Sequence, residues 1–307
     1  MPRTRPADPA CAIDQALNVV GDTWTLLILR DVARGISRFD LLVAELKLSR
    51  KVLAERLRHL IDHDVLARRP YQHGPVRHDY VLTSRGEALL PMLVALQDWG
   101  DRWVLGDGEL TGAATTRSAE AQRVRALVGS VVPSPLRLPG ADGYADVVDP
   151  DAGATVLFTY PATGIPGPLP EGWERIPGTA GCTLENRLFR DRHAAFVEAG
   201  VAVHGVSTQR PDEQRRFAQI EQIPHQLLSD EDLHLTAALR LPTFRVAEAL
   251  RIKRCLLVID STRTVRAVRY PVTDIPDAIS WTFTRASAIG HRPTRTTARP
   301  LPTGGGR

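Results

Sequence analysis

Two apolar periodicities divide this chain. Up to about residue 105, apolar side chains recur every three or four positions, as on the buried faces of helices: Val52, Leu53, Leu57, Leu60 and Ile61, then Leu89, Leu93, Leu96, Trp99 and Trp103. From about residue 136, short extended runs such as Val156-Leu157-Phe158-Thr159-Tyr160 and 201–206 alternate with helical stretches such as 184–199 and 210–222. Such alternation predicts an α/β sheet. Between them, 106–135 turns to Gly, Ala, Thr and Ser, contains one short helical piece (119–127), and ends on Pro133-Ser134-Pro135, the composition of a linker. A chain of 307 residues exceeds what one core usually serves. The expected organisation is a helical domain at 1–107, a linker at 108–135, an α/β domain at 136–285 and a disordered tail at 286–307, poor in apolar residues.

In the first domain, Leu17, Val20, Leu27 and Ile28 predict two short helices broken at Gly21-Asp22. Ser37 is placed to cap a third helix and Ser49 a fourth, separated by the turn Lys47-Leu48. Two such helices form a helix-turn-helix. Extended runs on either side of Gly74-Pro75 predict a β-hairpin, or wing, and Thr83 or Ser84 opens a long last helix reaching Trp103. That helix carries more apolar surface than a lone helix tolerates, so it either packs within the monomer or helps form a two-fold interface. The net charge of +4 says little, but ten Lys/Arg lie between Arg34 and Arg77 against six Asp/Glu even when Asp31 is counted. A basic helix beside a basic hairpin suits the major groove and its flanking phosphates.

The longest apolar runs fall far short of the ~20 residues of a membrane span. The opening Met1-Pro2-Arg3-Thr4-Arg5-Pro6 has arginines but no apolar stretch behind them, so no secretory leader and a cytoplasmic location are expected. Three cysteines, Cys11, Cys182 and Cys255, without regular spacing argue against a disulfide framework. With no zinc-type His/Cys spacing either, neither a metal nor another cofactor is expected.

The blocks Cys11-Ala12-Ile13-Asp14, Val20-Gly21-Asp22-Thr23-Trp24-Thr25-Leu26-Leu27, Arg38-Phe39-Asp40-Leu41-Leu42, Leu48-Ser49-Arg50-Lys51-Val52-Leu53-Ala54-Glu55-Arg56-Leu57 and Tyr80-Val81-Leu82-Thr83-Ser84-Arg85-Gly86 resemble the HxlR-type winged helix-turn-helix regulators over about 8–104. The resemblance implies a homodimer that binds a double-stranded DNA operator. Ser49, Arg50 and Lys51 would open the reading helix, with Arg56 and Arg58 further along it and Arg68, Arg69, Arg77 and His78 on the wing. It also implies a dimer interface on the last helix. Cys11 stands near a place where some members carry a redox-sensing cysteine; a small apolar helix position is the alternative reading.

Pro177-Gly178-Thr179-Ala180-Gly181-Cys182-Thr183-Leu184-Glu185, supported by Phe158-Thr159-Tyr160-Pro161 and Arg254-Cys255-Leu256-Leu257-Val258, resembles the AhpC/TSA peroxiredoxins, especially the bacterioferritin-comigratory type. The implied fold is thioredoxin-like and the implied reaction is thiol-dependent peroxide reduction. Peroxide is attacked by a thiolate, so the thiol pKa has to fall below its ordinary ~8.5. Cys182 precedes a helix start that favours an anion. Thr179 is expected to hydrogen-bond the sulfur, Arg254 to stabilise the thiolate and Glu185 to place Arg254. Two features depart from the family pattern. The stretch 162–176 lengthens the loop before Thr179, and Arg187 stands where some relatives carry a resolving cysteine. A one-cysteine cycle completed by an external thiol reductant is expected. Cys255, next to Arg254 in a strand, should point to the opposite face.

The sequence therefore predicts a mainly α winged-helix domain followed by an α/β thioredoxin-like domain. The expected function is a DNA-binding regulator whose attached redoxin senses or reduces peroxide. The alternatives are a peroxidase with secondary DNA binding, or a regulator with an inert redoxin used for docking.

Overall fold

The computed structural model describes residues 8–74, 76–165 and 167–290. The first half holds α1 (Ala12–Val20), α2 (Thr23–Ala33), α3 (Phe39–Leu46), α4 (Arg50–Asp62), a hairpin of β1 (Leu66–His73) and β2 (Val76–Leu82), α5 (Ser84–Glu87) and α6 (Leu90–Trp103). The caps explain several boundaries. Asp22 accepts the N–H groups of Trp24 and Thr25 at the start of α2, and Ser49 accepts Val52 N–H at the start of α4. Between α3 and α4 the chain turns through Lys47 with φ 53°. Ile28, Leu29, Leu42, Leu53, Leu57 and Leu60 form the core of this half. Ser37 does not cap α3: Arg38 takes that place, and the Ser37 hydroxyl donates to Asp79 of β2. The long last helix is in fact two pieces. Pro91 has no N–H to continue the ladder from α5, so the chain restarts as α6.

The second half holds α7 (Ala119–Arg125), a hairpin of β3 (Arg137–Gly140) and β4 (Gly143–Asp146), β5 (Ala154–Thr159), α8 (Cys182–Asp191), α9 (His193–Glu198), β6 (Val201–Ser207), α10 (Pro211–Glu221), β7 (Gln226–Ser229), α11 (His234–Leu239), a hairpin of β8 (Thr243–Val246) and β9 (Ala249–Ile252), β10 (Cys255–Asp260), β11 (Val265–Arg269) and α12 (Ile275–Gly290). The main sheet has the order β11-β10-β5-β6-β7. Strands β5, β6 and β7 run parallel, while β10 and β11 are antiparallel to their neighbours. Residues alternate between its two covered faces. Phe158, Leu256 and Val258 pack with Cys182, Phe189 and α12, whereas Leu157, Cys255 and Leu257 pack with α7 and α11.

The stretch 108–135, expected as a linker, is built into the second half. Ala121, Val124 and Val132 are fully buried in the core beneath the sheet. Glu120 meets the Lys253 ammonium at 3.0 Å and accepts the Tyr270 hydroxyl at 2.8 Å. The expected tail does not start at Ala286, which is buried in α12; beyond Gly290 it lies outside the described residues.

The halves also pack on each other. Leu90 and Val94 of α6 bury against Leu233 and Ala237. Gln97 donates to Leu241 O at 2.9 Å, Thr243 donates to Asp98 at 3.0 Å, and Arg123 of α7 donates to Asp101 at 2.8 Å. The Arg123–Asp101 side chains are only 12% and 8% exposed. Removing one member strands a buried charge, so Arg123→Met should lower stability to urea by about 3–5 kcal/mol. Pairing it with Asp101→Asn should restore most of that loss; equal effects of single and double variants would place the pair outside the stability of the interface.

Candidate functional site

Cys182 is the first residue of α8 and is 3% exposed. Gly181 before it adopts φ 98°, and a Cβ there would lie 2.5 Å from Ile275 of α12, so only glycine turns the chain into the helix this close to its neighbour. Arg254, just ahead of β10, brings Nη2 to 3.3 Å from the Cys182 sulfur. The same guanidinium donates through Nε to Glu185 at 2.8 Å, through Nη1 to Gly178 O at 3.2 Å and through Nη2 to Ala180 O at 3.1 Å. The expected Cys182–Glu185–Arg254 grouping is assembled, with Glu185 one helical turn along α8 and wholly buried.

Thr179 departs from expectation. Its hydroxyl donates to Trp173 O at 2.7 Å and Ile176 O at 2.8 Å, not to the sulfur. The cause is the lengthened loop: its 3₁₀ turn Trp173–Arg175 presents carbonyls where the hydroxyl can reach them. The Thr179 carbonyl instead accepts the Cys182 thiol at 3.5 Å.

The thiol pKa also departs from expectation. Burial pushes the Cys182 thiol up, while Arg254 and the Ala162 N–H pull it down and the Glu185 charge pushes it up again; the net direction is upward. Burial likewise raises the Glu185 carboxyl against the pull of Arg254. Burial of the sulfur outweighs the pull of the one arginine beside it. Cys255 is wholly buried on the opposite face of the sheet, as expected, and burial raises its thiol. Arg187, in the resolving position, pairs with Glu221 at 2.7 Å. Cys11 caps α1 half-buried, with no side-chain capping bond.

On the winged-helix half, Arg50, Lys51 and Arg58 of α4 and Arg68, Arg69 and Arg77 of the hairpin are exposed, Ser49 is the cap, and His78 is half-buried. Arg50 pairs with Asp40 at 2.8 Å, both side chains about 70% exposed. An exposed pair of this kind is worth ~0–1 kcal/mol and is readily exchanged for a phosphate. Arg56 does not join the basic face. It pairs with Asp22 at 3.1 Å, fastening α4 to the cap of α2. Arg38 was overlooked in the sequence: it stacks over Tyr71 at 4.3 Å and reaches Asp79 at 3.7 Å, tying the start of α3 to the wing.

Residues 19–107 match the HxlR-like helix-turn-helix family. Over 92 residues the chain is 35% identical to the uncharacterized HTH-type transcriptional regulator YvaP of Bacillus subtilis, covering 30% of this chain and 85% of that protein. The chain belongs to the HxlR-like helix-turn-helix family. An uncharacterized HTH-type transcriptional regulator of Mycobacterium tuberculosis is 41% identical over 93 residues, 30% of this chain; the chain spans 59% of the length of that relative. Beyond the HxlR-like half, residues 176–268 match the AhpC/TSA family. The second half is similar to peroxidoxin BcpB from Mycobacterium tuberculosis (27% identity, TM-score 0.44, covering 53% of this chain and 97% of that one). It is also similar to peroxiredoxin Q of Xanthomonas campestris (20% identity, TM-score 0.41, covering 50% and 90%). An HxlR-like helix-turn-helix domain is followed in the same chain by a domain that matches the AhpC/TSA family over residues 176–268.

With Arg254 facing the sulfur, Arg254→Met should move the pH midpoint of Cys182 alkylation further up and slow alkylation at any fixed pH below it. Removing a cation disfavours the thiolate. An unchanged midpoint would show that the contact does not govern ionisation. Cys255 should resist alkylation until the chain unfolds.

Proposed function

We propose that this chain is a DNA-binding regulator whose second domain reacts with peroxide at Cys182 through a one-cysteine cycle. The observation that carries the reading is the Arg254 guanidinium, 3.3 Å from the Cys182 sulfur and anchored on buried Glu185. A fixed cation there stabilises both the thiolate and the negative charge that develops on the departing peroxide oxygen. Cys182 becomes a sulfenic acid, and an external thiol returns it to the reduced state. Cys255 has no route to it: the two cysteines belong to the cores on opposite faces of the sheet.

After one equivalent of hydrogen peroxide, mass spectrometry should find a trappable sulfenic acid on Cys182, and Arg254→Met should slow its formation by about 10²–10³. A Cys182–Cys255 or Cys182–Cys11 disulfide as main product refutes the one-cysteine cycle. Modification of Cys11 with Cys182 untouched moves the redox chemistry to the winged-helix half.

Operator recognition through Ser49, Arg50, Lys51 and Arg58, with Arg68, Arg69, Arg77 and His78 on the wing, belongs to the same proposal. Arg50→Ala with Lys51→Ala should abolish specific DNA binding in a gel-shift assay while thermal stability is kept, since good base contacts are worth ~1–3 kcal/mol each. Unchanged affinity would remove α4 as the reading helix. The proposed dimer is supported by Leu96, Trp99 and Trp103 of α6, which are 52–56% exposed even with Leu90 and Val94 covered by the second half. Light scattering should give a dimer mass for the full chain and a monomer mass for Trp99→Glu with Trp103→Glu; a wild-type monomer at micromolar concentration contradicts it.

A further inference from the structure

The chain leaving α6 crosses the Cys182 loop before it reaches α7. Gly112 donates its N–H to Pro177 O at 2.8 Å. A Cβ on Gly112 would lie 3.2 Å from Pro177 O, 3.2 Å from the Thr179 methyl and 3.3 Å from Phe244; one on Gly178 would lie 2.7 Å from Ala113. Two glycines thus let two backbones approach closely; at Gly178 (φ 84°) a side chain would collide with Ala113, and at Gly112 it would be tight. Ala113 O accepts Lys253 Nζ at 3.4 Å, and Lys253 adjoins Arg254 in sequence. The loop at 177–179 is consequently held from two sides: residues 111–113 on one, and Arg254 through Gly178 O on the other.

We propose that residues 111–113 form a strap that holds the Cys182 loop in place, and that oxidation of Cys182 loosens it and carries the redox state into α6. The inference rests on the peroxide reading above. The thiolate attacks one peroxide oxygen, forming an S–O bond and breaking the O–O bond. The other oxygen leaves as alkoxide or hydroxide and takes up a proton; sulfur is oxidised and the peroxide reduced.

The added oxygen has little room. The buried sulfur has Arg254 Nη2 at 3.3 Å and Thr179 O at 3.5 Å, and its residue packs into the core with Phe158, Phe189 and Ala278. The added oxygen also competes for the Arg254 N–H groups that hold Gly178 O and Ala180 O. A shift of Gly178 moves Pro177, and with it the partner of Gly112.

The path to α6 is short and stiff. Gly108 exchanges bonds with Arg102, its N–H donating to Arg102 O at 3.0 Å and its carbonyl accepting Arg102 Nε at 2.6 Å. Leu105 N–H donates to Gly100 O. Leu110 packs with Trp173 and Phe244. Displacement of the strap therefore pulls on the end of α6, which carries the exposed Trp99 and Trp103.

Hydrogen exchange by mass spectrometry on the full chain tests this, comparing the reduced protein with protein given one equivalent of hydrogen peroxide. Segment 105–114 should exchange about tenfold faster or more after oxidation. In Gly112→Val the segment should exchange fast in both states, and Cys182 should react with peroxide about 10- to 100-fold more slowly, the penalty of a misplaced loop. The wild-type comparison stands even if that variant does not fold. Sulfenic Cys182 with unchanged exchange at 105–114 overturns the strap alone. Cys182 remaining a thiol overturns the peroxide reading and the strap with it.

Discussion

Arg254 is buried, and a buried guanidinium is tolerated only when its charge and its N–H groups all find partners. Here Glu185 takes Nε, the carbonyls of Gly178 and Ala180 take the outer nitrogens, and the Cys182 sulfur completes the shell. These partners come from α8 and the loop before it, while Arg254 itself opens β10. One side chain therefore fixes the loop, the first turn of the helix and the start of β10 against each other. Loss of any partner leaves charge or N–H groups unpaired in a dry interior, so the arrangement is both structural and chemical.

That shell also sets the terms of the sulfur's reactivity. Enclosure by Phe158, Phe189 and α12 raises the Cys182 thiol, and Arg254 opposes the rise. A site of this kind is held in check by its own burial. Loosening the loop relieves that desolvation but also withdraws the Arg254 guanidinium, held by Gly178 O and Ala180 O, from the sulfur, so a misplaced loop reacts more slowly. The proposed strap comes from the chain joining the two halves, so the geometry of the helix-turn-helix half and the reactivity of the sulfur share one short segment.

Much of this was legible in the sequence because local rules and tertiary needs agree. Asp22 and Ser49 are good caps followed by periodic apolar residues, and both helices begin there. The strand at Cys255 alternates faces strictly, which separates Cys255 from Cys182. Other features depended on contacts that no local pattern encodes. The Thr179 hydroxyl was captured by carbonyls of an inserted turn whose path the sequence does not specify. Arg56 looked like one more basic residue on α4 but faces the cap of α2. Segment 108–135 has the composition of a linker, yet Ala121, Val124 and Val132 suffice to seat it in the core. The small hairpins β3–β4 and β8–β9 are too short for periodicity to reveal, and Pro91 divides a helix that its apolar stripe alone would run unbroken.

If Cys182 oxidation reaches α6 as proposed, and α6 carries the proposed dimer face, the redox state of Cys182 governs DNA binding by the same chain. The most direct test of this claim uses the duplex that the reduced full-length protein selects from a random-sequence pool. Affinity for that duplex is measured before and after one equivalent of hydrogen peroxide, in the wild type and in Cys182→Ser. The account predicts that peroxide changes the wild-type affinity, that an added thiol reverses the change, and that Cys182→Ser does not respond. An equal response in Cys182→Ser, or none in a wild type whose Cys182 is fully sulfenic, would contradict it.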